Sequence, residues 1–109
     1  MKSESRIQQE IVQFFRNNYC LKHHIPRSMI LHIPNEGKNN GRLVPLGLLP
    51  GAADLLIINQ GRAIFVEVKD ATGKQSPKQK EFEDYCRELG LYYEVVRSLE
   101  EFKKMLVSL

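Results

Sequence analysis

Gly51-Ala52-Ala53-Asp54-Leu55-Leu56-Ile57-Ile58-Asn59-Gln60-Gly61-Arg62-Ala63-Ile64-Phe65-Val66-Glu67-Val68-Lys69 is the stretch that decides the fold. Two apolar runs, residues 54–58 and 62–69, are separated by Asn59-Gln60-Gly61, a turn signal that predicts a hairpin. Strand side chains alternate between faces, so Glu67 and Lys69 share one face while Val66 and Val68 point into packing. If the two strands are neighbours, Asp54 meets Glu67 at one edge of the sheet. An acid opens one strand, and an acid and an ammonium lie two residues apart in the next.

Upstream, apolar positions at Ile7, Ile11, Phe14 and Phe15 give residues 4–18 a helical stripe. Residues 29–33 read as a short strand, and residues 34–51 as a long Asn-, Gly- and Pro-rich loop of the kind that carries function. Downstream, Ser76-Pro77-Lys78-Gln79 reads as a capping box with proline in the first turn. It opens a helix with Phe82, Tyr85, Cys86 and Leu89 on one face, closed at Gly90. Residues 92–96 form a further strand, and Ser98-Leu99-Glu100-Glu101 caps a last helix with Leu99, Phe102 and Leu106 inward. The order is α-β-β-β-α-β-α, an α/β sandwich around a central mixed sheet.

The chain has 109 residues, which suits one domain spanning 1–109 with a single modest core. No apolar run approaches the roughly 18 residues of a membrane span, and no signal-peptide core follows Met1. A cytoplasmic location is the expectation. Cys20 and Cys86 form no metal or disulfide pattern. Net charge is +3, and its distribution matters more than its size. Lys69, Lys74, Lys78 and Lys80 face a single acid, Asp70, and the long loop adds Lys38 and Arg42 against Glu36. Basic loops therefore flank the acidic edge, as contact with a phosphate backbone requires. Lys38, Arg42, Lys74, Lys78 and Lys80 are the candidate DNA contacts.

Two carboxylates and an ammonium at one edge suit phosphodiester hydrolysis. That reaction needs an activated water, a cation to neutralise charge growing on phosphorus, and a stabilised leaving oxygen. Mg²⁺ binds through one or two carboxylates plus waters and phosphate oxygens. Asp54 and Glu67 would be those carboxylates, with the Val68 carbonyl a further ligand and Mn²⁺ a substitute ion. Lys69 would hold the attacking water or the scissile phosphate as a point charge. The competing structural account is a Glu67–Lys69 ion pair. It has to meet the cost of a glutamate half buried between Val66 and Val68, several kcal/mol unless it is paired or bound to metal.

An aspartate followed by Glu-x-Lys resembles the core of the PD-(D/E)xK nuclease superfamily, and within it the chain resembles the VRR-NUC family. The matching stretches are Ile33-Pro34-Asn35-Glu36-Gly37, Gly51-Ala52-Ala53-Asp54-Leu55, Glu67-Val68-Lys69, Ser76-Pro77-Lys78-Gln79 and Val95-Val96-Arg97-Ser98. Each piece is weak alone; five in order with compatible spacing are specific. Ala53 stands where the family has proline, at a position that shapes a turn and holds no ligand. The resemblance implies a restriction-endonuclease-like fold. It also implies that a first-helix glutamate joins the metal site, with Glu10 the best match and Glu4 the alternative. Gln79 would help position the water or metal shell, although it is also the back-reaching member of the Ser76 cap.

Stand-alone members of the family resemble dimeric resolvases of four-way DNA junctions, and a chain of this length fits that kind. The expectation is a homodimeric, Mg²⁺-dependent Holliday junction resolvase, of a size that suits a phage or mobile element. Two rivals stand beside it. One is a nuclease acting on flaps, linear duplex or single strands, and the other is a nucleic-acid-binding module without catalysis.

Overall fold

Leu55–Asn59 and Arg62–Val68 pair antiparallel in the register Leu55↔Val66 through Asn59↔Arg62. The turn between them is two residues long, Gln60 and Gly61, both at positive φ (51° and 81°). That is the backbone a tight hairpin needs to match strand twist, and glycine adopts it without strain. The computed structural model describes residues 1–20, 28–34, 46–47 and 49–109. In chain order its elements are helix α1 (Glu4–Phe15), a π-type turn (Arg16–Cys20) and strand β1 (Ser28–His32). Strands β2 (Leu55–Asn59) and β3 (Arg62–Val68) follow, then helix α2 (Pro77–Glu88), strand β4 (Tyr92–Val96) and helix α3 (Leu99–Ser108).

The sheet runs β1-β2-β3-β4, with β1·β2 and β2·β3 antiparallel and β3·β4 parallel. The mixed sheet follows from the connections. A two-residue turn can only reverse a strand, whereas the β3-to-β4 link carries a whole helix and returns parallel. One face packs Ile30, Leu55, Ile57, Ile64, Val66 and Val68 against Ile7, Ile11 and Phe15 of α1 and Phe102 and Met105 of α3. Each large apolar side chain so buried contributes ~1.5–3 kcal/mol. The other face packs Ala52, Ala53, Phe65 and Tyr93 under Phe82 and Cys86 of α2.

Two expectations about facing need correction. Tyr85 is 49% and Leu89 74% exposed, so the inward face of α2 is Phe82 and Cys86 alone among the apolar residues expected there. Tyr85 turns its hydroxyl to Glu81 Oε1 at 3.3 Å, and Leu89 is the C-cap, beyond the helix proper. In α3 the buried pair is Phe102 and Met105, with Leu99 and Leu106 half-buried. Spacing alone left the phase of the stripe one residue off.

Arg97, just past β4, ties the sheet to the loop after β3. Its Nη1 donates to the carbonyls of Asp70 and Gly73, both at 2.7 Å. The Asp70 carboxylate in turn accepts from the backbone N–H of Thr72 (3.0 Å) and of Gly73 (2.6 Å). Hydrogen bonds from a charged donor are worth about 1.5–3 kcal/mol each, and partly buried carbonyls left without one are costly. Arg97→Ala is expected to lower stability by ~2–3 kcal/mol. The check is urea unfolding, which should show a lower midpoint at unchanged slope.

Candidate active site

The β2·β3 register places Asp54, one residue before β2, across from Glu67, because Leu55 pairs with Val66. Asp54 Oδ2 accepts the backbone N–H of Val68 at 2.8 Å, a bond that seats the acid against the end of β3. Its carbonyl accepts from the Ile33 N–H at 2.8 Å and lies 3.0 Å from His32 Nδ1. The backbone N–H of Lys69 donates to the Val96 carbonyl at 3.0 Å, extending the parallel ladder by one residue. Glu67 and Lys69 therefore stay in strand phase and share a face.

Burial is more complete than alternation suggested. Glu67 is 1% exposed and Lys69 8%. Glu67 Oε1 accepts from Gln79 Nε2 at 3.1 Å, whereas Glu67 Oε2 is buried with no hydrogen-bond partner. Burial, reinforced by the charge of Asp54 and by the hydrogen bond that a protonated Glu67 can give it, pushes the Glu67 carboxyl up to about 9, and Lys69 opposes the shift without cancelling it. With its proton, Glu67 can sit beside the Asp54 carboxylate; without it, two carboxylates face each other and need a cation.

Gln79 reaches Glu67 because α2 starts above it. Ser76 Oγ accepts from the Gln79 N–H at 3.2 Å, and the Ser76 N–H donates to Gln79 Oε1 at 2.8 Å. The capping box consumes the amide oxygen and leaves the amide nitrogen for Glu67, so one side chain performs both tasks. Gly51, at φ +82°, lets this happen: a Cβ there would overlap the Lys78 carbonyl and stand 2.9 Å from the Gln79 backbone nitrogen. Gly51→Ala is expected to cost about 1–3 kcal/mol from the backbone conformation alone. The overlap would also push α2 away from Asp54. A lowered thermal midpoint together with a loss of activity larger than the unfolded fraction explains is the expected result.

Glu67, Lys69, Asp54 and Gln79 come together; Glu10 does not. Glu10 is held by Lys2 Nζ at 2.8 Å and Arg6 Nε at 3.4 Å, and the Lys2 ammonium lowers its pKa below the usual carboxylate value. Glu4 stands at the site instead, its Oε1 3.9 Å from Lys69 Nζ. The reason is helical phase. Six residues turn a helix by about 240° beyond one full revolution and advance it by about 9 Å, so the two glutamates cannot serve one point. The loop after β3 closes over Glu4 as well: a Cβ on Gly73 would lie 3.3 Å from Glu4 Oε1 and 3.5 Å from Lys69 Cδ. Glu4 is the first residue of α1 and Gln79 lies in the first turn of α2.

Among the described residues no group of three or more His, Cys, Asp or Glu side chains is gathered as a ready metal cage. A pair of carboxylates with one unpartnered buried oxygen is what a hard, water-carrying cation such as Mg²⁺ uses. The residues present fit that ion. The Val68 N–H is taken by Asp54, and Val68 itself ends β3 between Glu67 and Lys69.

Lys74 and Lys80 are exposed beside α2 and have no ion pair among the described residues, while Lys78 pairs with Glu81 at 3.6 Å. Lys38 and Arg42 lie outside the described residues. Gly51, Gly73 and Arg97 also form the site, through backbone approaches and long-range bonds that no local spacing signals. Local spacing does not signal Gln75 either, whose Nε2 donates to the Tyr93 hydroxyl and to Glu83 Oε1, both at 3.1 Å.

Two solved structures are similar to this chain. One, named VRR_NUC domain protein, superposes with a TM-score of 0.78 at 18% identity, covering 99% of this chain and 88% of that one. Another, named VRR_NUC domain, gives a TM-score of 0.68 at 24% identity, covering 97% of this chain and 96% of that one. No family model matches the sequence, and no curated protein matches it. At these identities the likeness establishes the fold.

Proposed function

From the VRR-NUC fold of this chain and the constellation at its sheet edge, we propose that the protein is a Mg²⁺-dependent endonuclease that hydrolyses DNA phosphodiesters, with four-way junctions as its substrate. One observation carries the reading. Glu67 is buried with an unpartnered oxygen, set across from Asp54 and two residues from a buried lysine. Ionised, such a group costs several kcal/mol as a structural carboxylate, so it holds its proton until a cation that binds it beside Asp54 offsets that cost.

The bound cation would supply charge neutralisation at the phosphate and an activated water. Asp54 and Glu67 hold it, and Mn²⁺ has the same oxygen preference. The remaining work belongs to the chain. Lys69, fixed through its backbone bond to Val96, offers an ammonium to the nucleophile or to a phosphate oxygen. Gln79 keeps Glu67 Oε1 oriented so that Oε2 stays turned to the site. Glu4 Oε1, 3.9 Å from Lys69 Nζ, helps aim the ammonium. Lys74, Lys78 and Lys80 line the approach for the DNA backbone, where each charge is a candidate phosphate contact.

A four-way junction is resolved by two symmetric nicks, and a two-fold homodimer supplies two sites at fixed separation. The test compares labelled four-way junction, flap, linear duplex and single strand at equal concentration in Mg²⁺. Paired symmetric nicks confined to the junction are expected, with a light-scattering mass twice the 12.6 kDa of the chain. Equal cleavage of every substrate would remove the junction preference, and a monomer mass would remove the dimer.

A further inference from the structure

The outer side of α1 carries a feature that hydrolysis at Glu67 does not use. A groove of about 870 Å³ is lined by Arg6, Gln8, Gln13, Arg16 and Asn17 of α1 and the turn after it, and by His32 of β1. It is open, lined by polar and apolar surface in similar amounts, and larger than one inorganic anion needs. Gln9, Gln13 and Asn17, four residues apart, bring amides to one side of the helix, and Arg16 lies among them. Arg16 is exposed and has no ion pair among the described residues. Glu10 also lines the groove, but its charge is met by Lys2 and Arg6, and the three groups together sum to one positive charge.

The groove connects physically to the acidic edge. His32 lies in its wall, with Nδ1 3.2 Å from Gln8 Nε2 and 3.0 Å from the carbonyl of Asp54. A ligand lying along α1 would therefore arrive beside the residue that holds the first carboxylate.

We infer that this groove seats the sugar–phosphate backbone of the nucleic-acid strand that leads into the Asp54–Glu67 edge, with Arg16 as its phosphate contact. The inference rests on the nuclease reading and adds to it a track on the side of the site away from Lys74, Lys78 and Lys80. The chemistry selects the partner. Guanidinium groups satisfy phosphate oxygens in a fixed fork, and amides donate to phosphates while also reading base edges. Among the described residues that line the groove the side chains are amides, arginines, a serine, a glutamate, a histidine and Val12, and the amides and arginines are donors that suit a sugar–phosphate backbone.

The experiment measures binding of a fluorescein-labelled four-way junction by anisotropy across a salt series in Ca²⁺ and in EDTA. It compares the wild type, Arg16→Ala, Arg16→Gln and, as a charge control outside the groove, Lys104→Ala. Both Arg16 variants are expected to bind about tenfold more weakly and to lower the salt slope by about 0.9, the value of one lost phosphate contact on duplex. Lys104→Ala should match the wild type in affinity, salt slope and cleavage. Arg16 variants with wild-type affinity and slope would overturn the groove while leaving the nuclease reading intact. A wild type that binds without cleaving would overturn the nuclease reading, and the groove would still stand if the Arg16 variants lost affinity. Unchanged DNA affinity with a halved light-scattering mass would assign the groove to a second copy of the chain and overturn the inference.

Discussion

Glu67→Gln is expected to abolish cleavage and, in the absence of metal, to raise the thermal midpoint. The two effects have one cause. In the folded protein the Glu67 carboxyl keeps its proton to about pH 9, whereas in the unfolded chain it releases it near its ordinary value of 4.5. Between those values the native state binds a proton that the unfolded state does not, so stability falls as pH rises through that window. Glutamine cannot ionise. Its oxygen keeps the bond from Gln79, and its amide N–H can donate to the Asp54 carboxylate. At pH 8 without metal the variant should melt higher than the wild type by at least ~4 °C, the shift that about 1 kcal/mol produces in a domain of this size. Mg²⁺ should then stabilise the wild type by mass action and leave the variant unmoved. Calorimetry should also show that Mg²⁺ binding to the wild type releases a proton below pH 9, since the ligand must ionise to bind. A variant that melts at or below the wild type in EDTA would mean that Glu67 is satisfied by contacts within the protein.

Lys69→Ala carries the other large effect. A fixed cation at a reacting phosphate stabilises charge that develops in the transition state. Removing one such group typically costs about 10²–10³ in rate, and more where it also orients the nucleophile. Cleavage by Lys69→Ala is expected to fall at least ~10³-fold on that basis, with circular dichroism unchanged. Its strand position is set by a backbone bond to Val96 that alanine keeps. Lys69→Arg should not restore activity. The side chain is 8% exposed, and a planar guanidinium is larger than the ammonium it would replace there and presents its charge in a different geometry. Retained turnover by Lys69→Ala would remove the lysine from the mechanism.

The hairpin was legible because period-two alternation and a two-residue turn leave one register. Asp54 opposite Glu67 follows from that register. The helix at Ser76 was legible from its cap, and the same cap explains why Gln79 reaches the site. Glu10 illustrates where local pattern stops. A stripe at Ile7, Ile11 and Phe15 says which side of α1 is buried, but not which glutamate at its margin meets the sheet edge. The seating of α1 on β2 and β3 decides that, and it selects Glu4. Gly51 shows the same limit. It was visible as part of a motif, but its role is a close approach to the first turn of a helix that begins 26 residues later. Arg97 reaches back to Asp70 and Gly73, a contact between segments 24 to 27 residues apart that no local spacing announces.

The most direct test of the account is cleavage of a labelled four-way junction by the purified chain in Mg²⁺ or EDTA, run beside Glu67→Gln. Symmetric nicks by the wild type in Mg²⁺ are expected, with none in EDTA and none by the variant in either. Cleavage that survives EDTA, or that Glu67→Gln retains in Mg²⁺, would contradict a metal site built on Asp54 and Glu67.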